Sequence, residues 1–370
     1  MTDSILDKII DQEHKTRQHS FDPESMLAEM LSILDDRERE VIELRYGLVD
    51  GEKHTLEDIG KRFSITRERV RQIESSAIGK LKESEIFTNH AEVLVAIIED
   101  LLENLGGLVA EERLLDKLVD MTASERAEAI IRFFMQKLLH DHFVQLKKSE
   151  RMLKAWALQS TSVSKYEKLL NIVEQLLEEL DDIIATDDLH GKVRAHSDVQ
   201  DEEHVEEHVF ENMLHLSSNI EHNPFGHWGY KHWPLIKPKR MNDKIYLVLK
   251  NHGKPLHFTD IAEKINETQF DHKKAHPATV HNELILDNDR YVLIGRGIYA
   301  LKEWGYKAGV VTDIIEDVLR KQGPLSKDEI IEEVLKQRMV KKSTIALMLT
   351  NKDLFAKTAD GQYELSAQKA

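Results

Sequence analysis

Residues 55–74 read Thr55-Leu56-Glu57-Asp58-Ile59-Gly60-Lys61-Arg62-Phe63-Ser64-Ile65-Thr66-Arg67-Glu68-Arg69-Val70-Arg71-Gln72-Ile73-Glu74. A threonine followed three residues later by an acid, Thr55 then Asp58, is a helix-start signal, so a short helix is expected over Leu56–Phe63. Gly60 lets a second helix cross closely, Ser64-Ile65 makes the tight turn, and Thr66 caps the next helix, Arg67–Leu81. That helix buries Val70, Ile73, Ala77 and Leu81, which recur at helical spacing. Its other face opens with Arg67, Glu68, Arg71 and Gln72. Two helices joined this way form a helix-turn-helix.

The residue types suit a DNA major groove. Arginine reads the acceptors of guanine, glutamine pairs with adenine, and glutamate accepts from cytosine N4. Arg67, Glu68, Arg71 and Gln72 stand in the first turns, where a recognition helix meets base edges. Thr55, Lys61, Arg62 and Arg69 are better placed for phosphates, which position without specifying. Upstream, Leu34, Val41, Ile42, Leu44 and Tyr46 trace another helix, with Asp35 and Asp36 expected ahead of it, favouring its N-terminus, and Gly47 at its stop.

With that helix the pattern becomes specific. Asp36-Arg37-Glu38-Arg39-Glu40-Val41-Ile42, Leu44-Arg45-Tyr46-Gly47-Leu48, Thr55-Leu56-Glu57-Asp58-Ile59-Gly60 and Thr66–Glu74 resemble region 4 of sigma-70 family initiation factors over about 31–82. The resemblance implies a module that reads the minus-35 promoter hexamer and docks on the flap of the RNA polymerase beta subunit. It also implies that Arg67, Glu68, Arg71 and Gln72 are the base readers. Two departures stand out. Where the family usually carries basic residues late in the recognition helix, this chain has Ser75, Ser76 and Gly79. About 30 residues precede the module, too few for the aromatic-rich region that melts promoters, so a complete sigma factor is not expected.

Composition sets wider bounds. A chain of 370 residues with 41% hydrophobic residues calls for two or more folded domains. No apolar run approaches the length of a membrane span. Met1–Ile10 carries acids among its apolar residues, unlike a secretory signal. Cysteine is absent, which excludes disulfides and thiolate zinc sites and fits a reducing cytosol. The net charge of −16 is uneven. Lys165–Glu221 holds 16 Asp and Glu against 4 Lys and Arg, whereas Lys61–Lys82 holds 7 basic residues against 2 acidic. Local charge decides docking.

Behind the module the sequence repeats itself. Asn104-Leu105-Gly106-Gly107-Leu108-Val109 aligns with Asn251-His252-Gly253-Lys254-Pro255-Leu256, and Lys321-Gln322-Gly323-Pro324-Leu325 returns the theme. Each unit opens with an apolar-periodic helix (Ile97–Glu103, Ile245–Lys250, Ile314–Arg320). Two further helices follow, and a hairpin with a glycine turn closes the unit, as at Gly295-Arg296-Gly297 and Asp360-Gly361. Three helices and a hairpin make a winged helix. The expected fold class is therefore mainly α, a helix-turn-helix followed by tandem winged-helix-like units with short β-hairpin wings. The expected domains are a helical lead-in at 1–30, the helix-turn-helix at 31–88, and winged units at 90–160, 164–238 (acidic and diverged), 240–306 and 308–370.

The third unit, through Pro255-Leu256-His257-Phe258-Thr259-Asp260-Ile261-Ala262 and Gly297-Ile298-Tyr299-Ala300-Leu301-Lys302-Glu303-Trp304, resembles the HARE-type winged helix, a relative of the delta subunit of bacterial RNA polymerase. That implies protein or DNA contact and no chemistry. For DNA the candidates are Lys273, Lys274 and Arg296, with Lys341 and Lys342 in the next unit. Arg240–Trp304 is nonetheless close to balance, with 10 basic and 9 acidic residues. His204-Val205-Glu206-Glu207-His208 fits a zinc-peptidase spacing, but the segment is so rich in His and Glu that a solvated acidic face explains it better. His222, His227 and His232, among Phe225, Trp228, Tyr230 and Trp233, read as aromatic hairpin packing.

The sequence thus reads as a cytoplasmic, nucleoid-associated bacterial transcription factor with no catalytic residues, metal or cofactor. Its expected partners are double-stranded promoter DNA, the RNA polymerase core at the beta flap, and a separate sigma factor, with no membrane. The alternative is a DNA-organising or defence-associated scaffold that uses the helix-turn-helix as a generic DNA reader.

Overall fold

Asp22 starts the first described helix, α1 (Pro23–Leu31): its side chain accepts from the amides of Glu24 and Ser25 at 3.1 Å. The proline stands where a helical amide has no partner to lose. The structure, a computed structural model, describes residues 21–366 except 123, 125, 200–204, 307–308 and 339. The chain divides after Glu221 into two units.

In the first unit α2 (Asp36–Tyr46) is opened by a reciprocal box. The Glu38 amide donates to Asp35 at 2.8 Å, and the Asp35 amide donates to Glu38 at 3.3 Å. Asp36 is the first residue inside this helix, not ahead of it. Gly47 ends it in the left-handed region at φ 66°, and a Cβ there would meet the Gly51 backbone at 2.8 Å. The helices α3 (Leu56–Phe63) and α4 (Arg67–Lys82) follow as expected. Val41, Ile59, Val70 and Ile73 form a small core among α2, α3 and α4.

The module does not stand alone. Ile42, Leu48, Ala77 and Leu81 belong to a second, larger core that takes in Met30 from α1 and Phe133, Phe134 and Trp156 from the first winged repeat. Each such side chain contributes about 1.5–3 kcal/mol when fully buried, so the module and the repeat stabilise one another.

That repeat begins with α5, which runs from Glu85 to Asn104, well ahead of the Ile97 start expected from sequence. The cause is local: Ser84 caps it, accepting from the Phe87 amide at 3.1 Å, two residues after α4 ends. Next come β1 (Leu108–Ala110), α6 (Glu111–Asp120) and α7 (Ala127–Phe133), the last extended by a π-helical turn over Phe134–Leu138. A hairpin, β2 (Val144–Leu146) and β3 (Ala155–Ala157), closes the repeat. The sheet order is β1-β3-β2, antiparallel, with Trp156 opposite both Val109 and Gln145. Glu111, buried at the start of α6, accepts from Trp156 Nε1 at 2.9 Å, Lys154 Nζ at 2.8 Å and Arg132 Nη1 at 3.1 Å. This carboxylate ties helix, wing and third helix together.

The acidic stretch repeats the order with α8 (Val163–Leu180), β4 (Ile184–Ala185), α9 (Thr186–Arg194), α10 (Glu207–Leu214) and the strand β5 (Ile220–His222).

In the second unit, β6 (His227–Tyr230) carries the buried Trp228. The His222 ring meets Trp228 edge-on at 5.0 Å, and Tyr230 meets Trp233 at 5.3 Å, the aromatic packing expected of this histidine-rich stretch. The third repeat comprises α11 (Met241–His252), β7 (Leu256–His257), α12 (Phe258–Thr268), α13 (Pro277–Leu286), β8 (Tyr291–Leu293) and β9 (Ile298–Leu301). Its sheet order is β7-β9-β8. The fourth comprises α14 (Val311–Gln322), α15 (Lys327–Gln337), α16 (Lys342–Met348), β10 (Phe355–Lys357) and β11 (Tyr363–Leu365), with a single bridge from Leu325 to Tyr363 in place of the first strand. The fold is mainly α, with a helix-turn-helix and short antiparallel wings.

Candidate nucleic-acid interface

The interface is built on two threonine caps. Thr55 accepts from the Asp58 amide at 3.2 Å and donates its hydroxyl to the Asp58 carboxylate at 2.6 Å. That hydroxyl bond holds the Asp58 carboxyl below its ordinary pKa. Thr66 accepts from the Arg69 amide at 3.2 Å and so fixes the first turn of α4. Between them Ser64 sits in the left-handed region at φ 56°, and a Cβ on Gly60 would come within 2.8 Å of the Ile65 carbonyl. Only glycine allows α3 to cross so close to the turn.

All four expected base readers, Arg67, Glu68, Arg71 and Gln72, are exposed on α4 with Arg69, and Thr55, Lys61 and Arg62 are exposed on α3 and its cap. Four of them, Glu68, Arg69, Arg71 and Gln72, pair along α4. Arg71 donates to Glu68 at 2.6 Å from Nη2 and 3.0 Å from Nε. This fork lowers the pKa of the Glu68 carboxyl and raises that of the arginine. One turn round, Arg69 Nη1 donates to Gln72 Oε1 at 3.1 Å. Both are i,i+3 pairs on the exposed surface of α4.

Two of the phosphate candidates are already engaged by carboxylates. Lys61 pairs with Glu57 at 2.9 Å, and Arg62 pairs with Glu40 of α2 at 2.6 Å. The bond to Glu57 raises the pKa of Lys61. Glu57 follows from an i,i+4 reading, whereas Glu40 lies far away in sequence and has no local signal. The later basic residues of α4 serve packing: Lys80 reaches Glu38 at 2.6 Å and Lys82 reaches Asp141 at 2.9 Å. On the inner side, Tyr46 donates its hydroxyl to Glu74 at 2.5 Å, and burial with this bond pushes the phenol well above its ordinary pKa.

The winged-helix candidates are dispersed. Lys273 and Lys274 occupy the loop before α13, Arg296 lies at the tip of the β8–β9 hairpin, and Lys341 and Lys342 start α16; all are exposed. His204 of the peptidase-like spacing lies outside the described residues, while Glu207 and His208 begin α10. Among the described residues, Asp50, Glu52 and His54 place one ligand atom each within 4.8 Å of one another. They lie on the loop before α3, where Asp50 accepts the Glu52 amide at 2.9 Å, an ordinary turn contact. No helix among the described residues is long and apolar enough to cross a membrane.

Comparison with known proteins agrees with this geometry. A stretch of 56 residues is 57% identical to the RNA polymerase sigma factor SigA of Lactococcus lactis subsp. cremoris, covering 15% of this chain and 15% of that protein. The SigA of Nostoc sp. is 42% identical over 83 residues, 22% of this chain and 21% of that protein. The chain thus spans a small fraction of the length of these curated relatives. Residues 241–304 match the HARE-HTH family, the ASXL and restriction endonuclease HTH domain. Residues 30–83 match Sigma-70, region 4, so the chain joins a sigma-70 region 4 helix-turn-helix to a HARE-type winged helix.

Proposed function

We propose that the chain is a DNA-binding transcription factor that acts with bacterial RNA polymerase at initiation. In this reading α4 lies in the major groove of minus-35-like DNA. Arg67, Glu68, Arg71 and Gln72 meet base edges there, and Thr55, Lys61, Arg62 and Arg69 hold phosphates. The module also meets the beta flap of the polymerase, and a separate sigma factor supplies promoter melting. The observation that carries the reading is the exposed strip of paired Arg, Glu and Gln on a helix capped by Thr66, within a segment 57% identical to a sigma factor. Pull-down of the tagged chain from nuclease-treated host lysate, probed for polymerase subunits, tests it: recovery of core polymerase is expected, and its clean absence would overturn the polymerase half of the reading.

A second reading is a DNA-organising or defence-associated scaffold. It is favoured by the large core that packs the apolar side of the module against the first winged repeat, leaving the polar α3–α4 face for partners. That reading expects duplex binding without polymerase.

A further inference from the structure

The third helices of two repeats meet opposite fates. Four of the seven residues of α7, Ala127, Ile130, Ile131 and Phe133, are buried. The cause is a neighbour: α1 lies against α7, and its Met26, Leu27, Met30 and Leu31 enter the common core. At the edge of that contact Glu24 of α1 pairs with Arg126, beside the start of α7. An acidic amphipathic helix therefore already covers the third helix of the first repeat.

In the third repeat the corresponding helix is bare. Of the ten residues of α13, only Val280 and Leu284 are buried. Its open face carries Ala278, Asn282, Ile285 and Leu286, spaced to share one side of a helix. Leu286 is 78% exposed and Ile285 49%, with Leu293 of β8 at 44%. Apolar residues of this size, clustered and open, mark an interaction site. The face does not suit DNA: Pro277–Leu286 contains no lysine or arginine, unlike the polar strip on α4. Cations stand towards its N-terminal end, Lys273 and Lys274 in the preceding loop, with Arg296 on the wing, all exposed. At the other end Glu283, Asp287 and Asp289 adjoin the apolar pair, and Asp287 is already engaged by Asn242 at 2.9 Å and Arg290 at 3.8 Å. The fourth repeat shows the same pairing, with Lys341 and Lys342 at the start of α16 and Leu347 left 64% exposed.

We infer that the open face of α13 docks an acidic amphipathic helix of a partner protein, as α1 covers α7 within this chain. Ile285, Leu286 and Leu293 take its apolar stripe, and Lys273, Lys274 and Arg296 meet its carboxylates. This surface is separate from the DNA-reading face of α4 and does not depend on it.

The probe is a labelled peptide with the sequence of residues 21–33, the helix that occupies the equivalent site, titrated into the full chain. Saturable binding is expected, weakened roughly tenfold or more by Leu286→Asp, since truncating a central apolar anchor removes most of such an interface. Leu286 is mostly exposed, so the variant should keep its fold, checked by circular dichroism. The double variant Lys273→Glu, Lys274→Glu should weaken the peptide and favour a version with Glu24→Lys and Glu29→Lys. Absence of binding at millimolar peptide, or binding unchanged by Leu286→Asp, would overturn the inference. So would displacement of the peptide from this face by duplex DNA. DNA affinity through α4 is read on the same Leu286→Asp variant and should not move, so failure here leaves the promoter reading standing.

Discussion

The ring of Tyr46, at the end of α2, lies 4.7 Å from that of Phe133 in the third helix of the first winged repeat. Tyr46 also donates to Glu74 on α4 at 2.5 Å. One side chain thus links the helix that supports the reading head, the reading helix itself, and the repeat behind them.

Phe133→Ala should therefore loosen the module as well as the repeat. Emptying this buried site costs about 3–5 kcal/mol. Urea unfolding should show the loss, and hydrogen exchange should report weaker protection in α2 and α4 as well as in α7.

Alkaline pH acts on the same contact. The Tyr46 phenol is pushed above its ordinary pKa by burial and by the bond to Glu74. A raised pKa means the protonated form is favoured in the folded state. Its stabilisation is complete below the unfolded pKa, near 10, and is lost as pH rises from there towards the folded value. Stability measured from neutral pH upward should fall above pH ~10. Tyr46→Phe should lower neutral stability by about 1 kcal/mol and flatten that fall. An unchanged alkaline profile in the variant would contradict the assignment.

Glu111→Gln should damage the first winged repeat out of proportion to its size. The carboxylate is buried and accepts from Trp156, Lys154 and Arg132. Removing the charge weakens its bonds to Lys154 and Arg132, while Arg132 keeps Glu112 at 2.9 Å and Glu128 at 2.8 Å, so a loss of about 1–3 kcal/mol is expected. Urea unfolding monitored by tryptophan fluorescence reads it directly.

Phosphate candidates can be strengthened by freeing them. Glu57→Gln and Glu40→Gln release Lys61 and Arg62 from pairs at 2.9 and 2.6 Å. Duplex affinity should rise alike for all sequences, with a steeper salt dependence. Arg69→Ala should act in the other direction, reducing the salt slope by about 1.

Much of the reading head was legible because its signals are local. Thr55, Thr66, Gly47 and Gly60 announce caps, a stop and a crossing point within a few residues, and the structure uses each of them so. The repeats were visible through their glycine turns. The strand ahead of the second helix, such as Leu108–Ala110 or Leu256–His257, was not, because two or three residues carry no readable alternation. The start of α5 was hidden for another reason: Ser84 caps it directly behind α4, so no loop separates the module from the repeat. Glu111 stands at a helix start with no local signal of burial, and only the fold brings Trp156 and Lys154 to it. Contacts such as Tyr46 with Phe133 or Arg62 with Glu40 join residues with no spacing rule between them.

The most direct measurement is the affinity of the full chain for a duplex bearing a minus-35-like hexamer against one with that hexamer scrambled, at fixed salt. The intact chain should prefer the hexamer. Arg71→Ala or Gln72→Ala should flatten the preference by ~1–3 kcal/mol each, while Arg69→Ala should weaken both duplexes alike. Equal affinity for the two duplexes, unmoved by Arg71→Ala, would contradict promoter reading by α4.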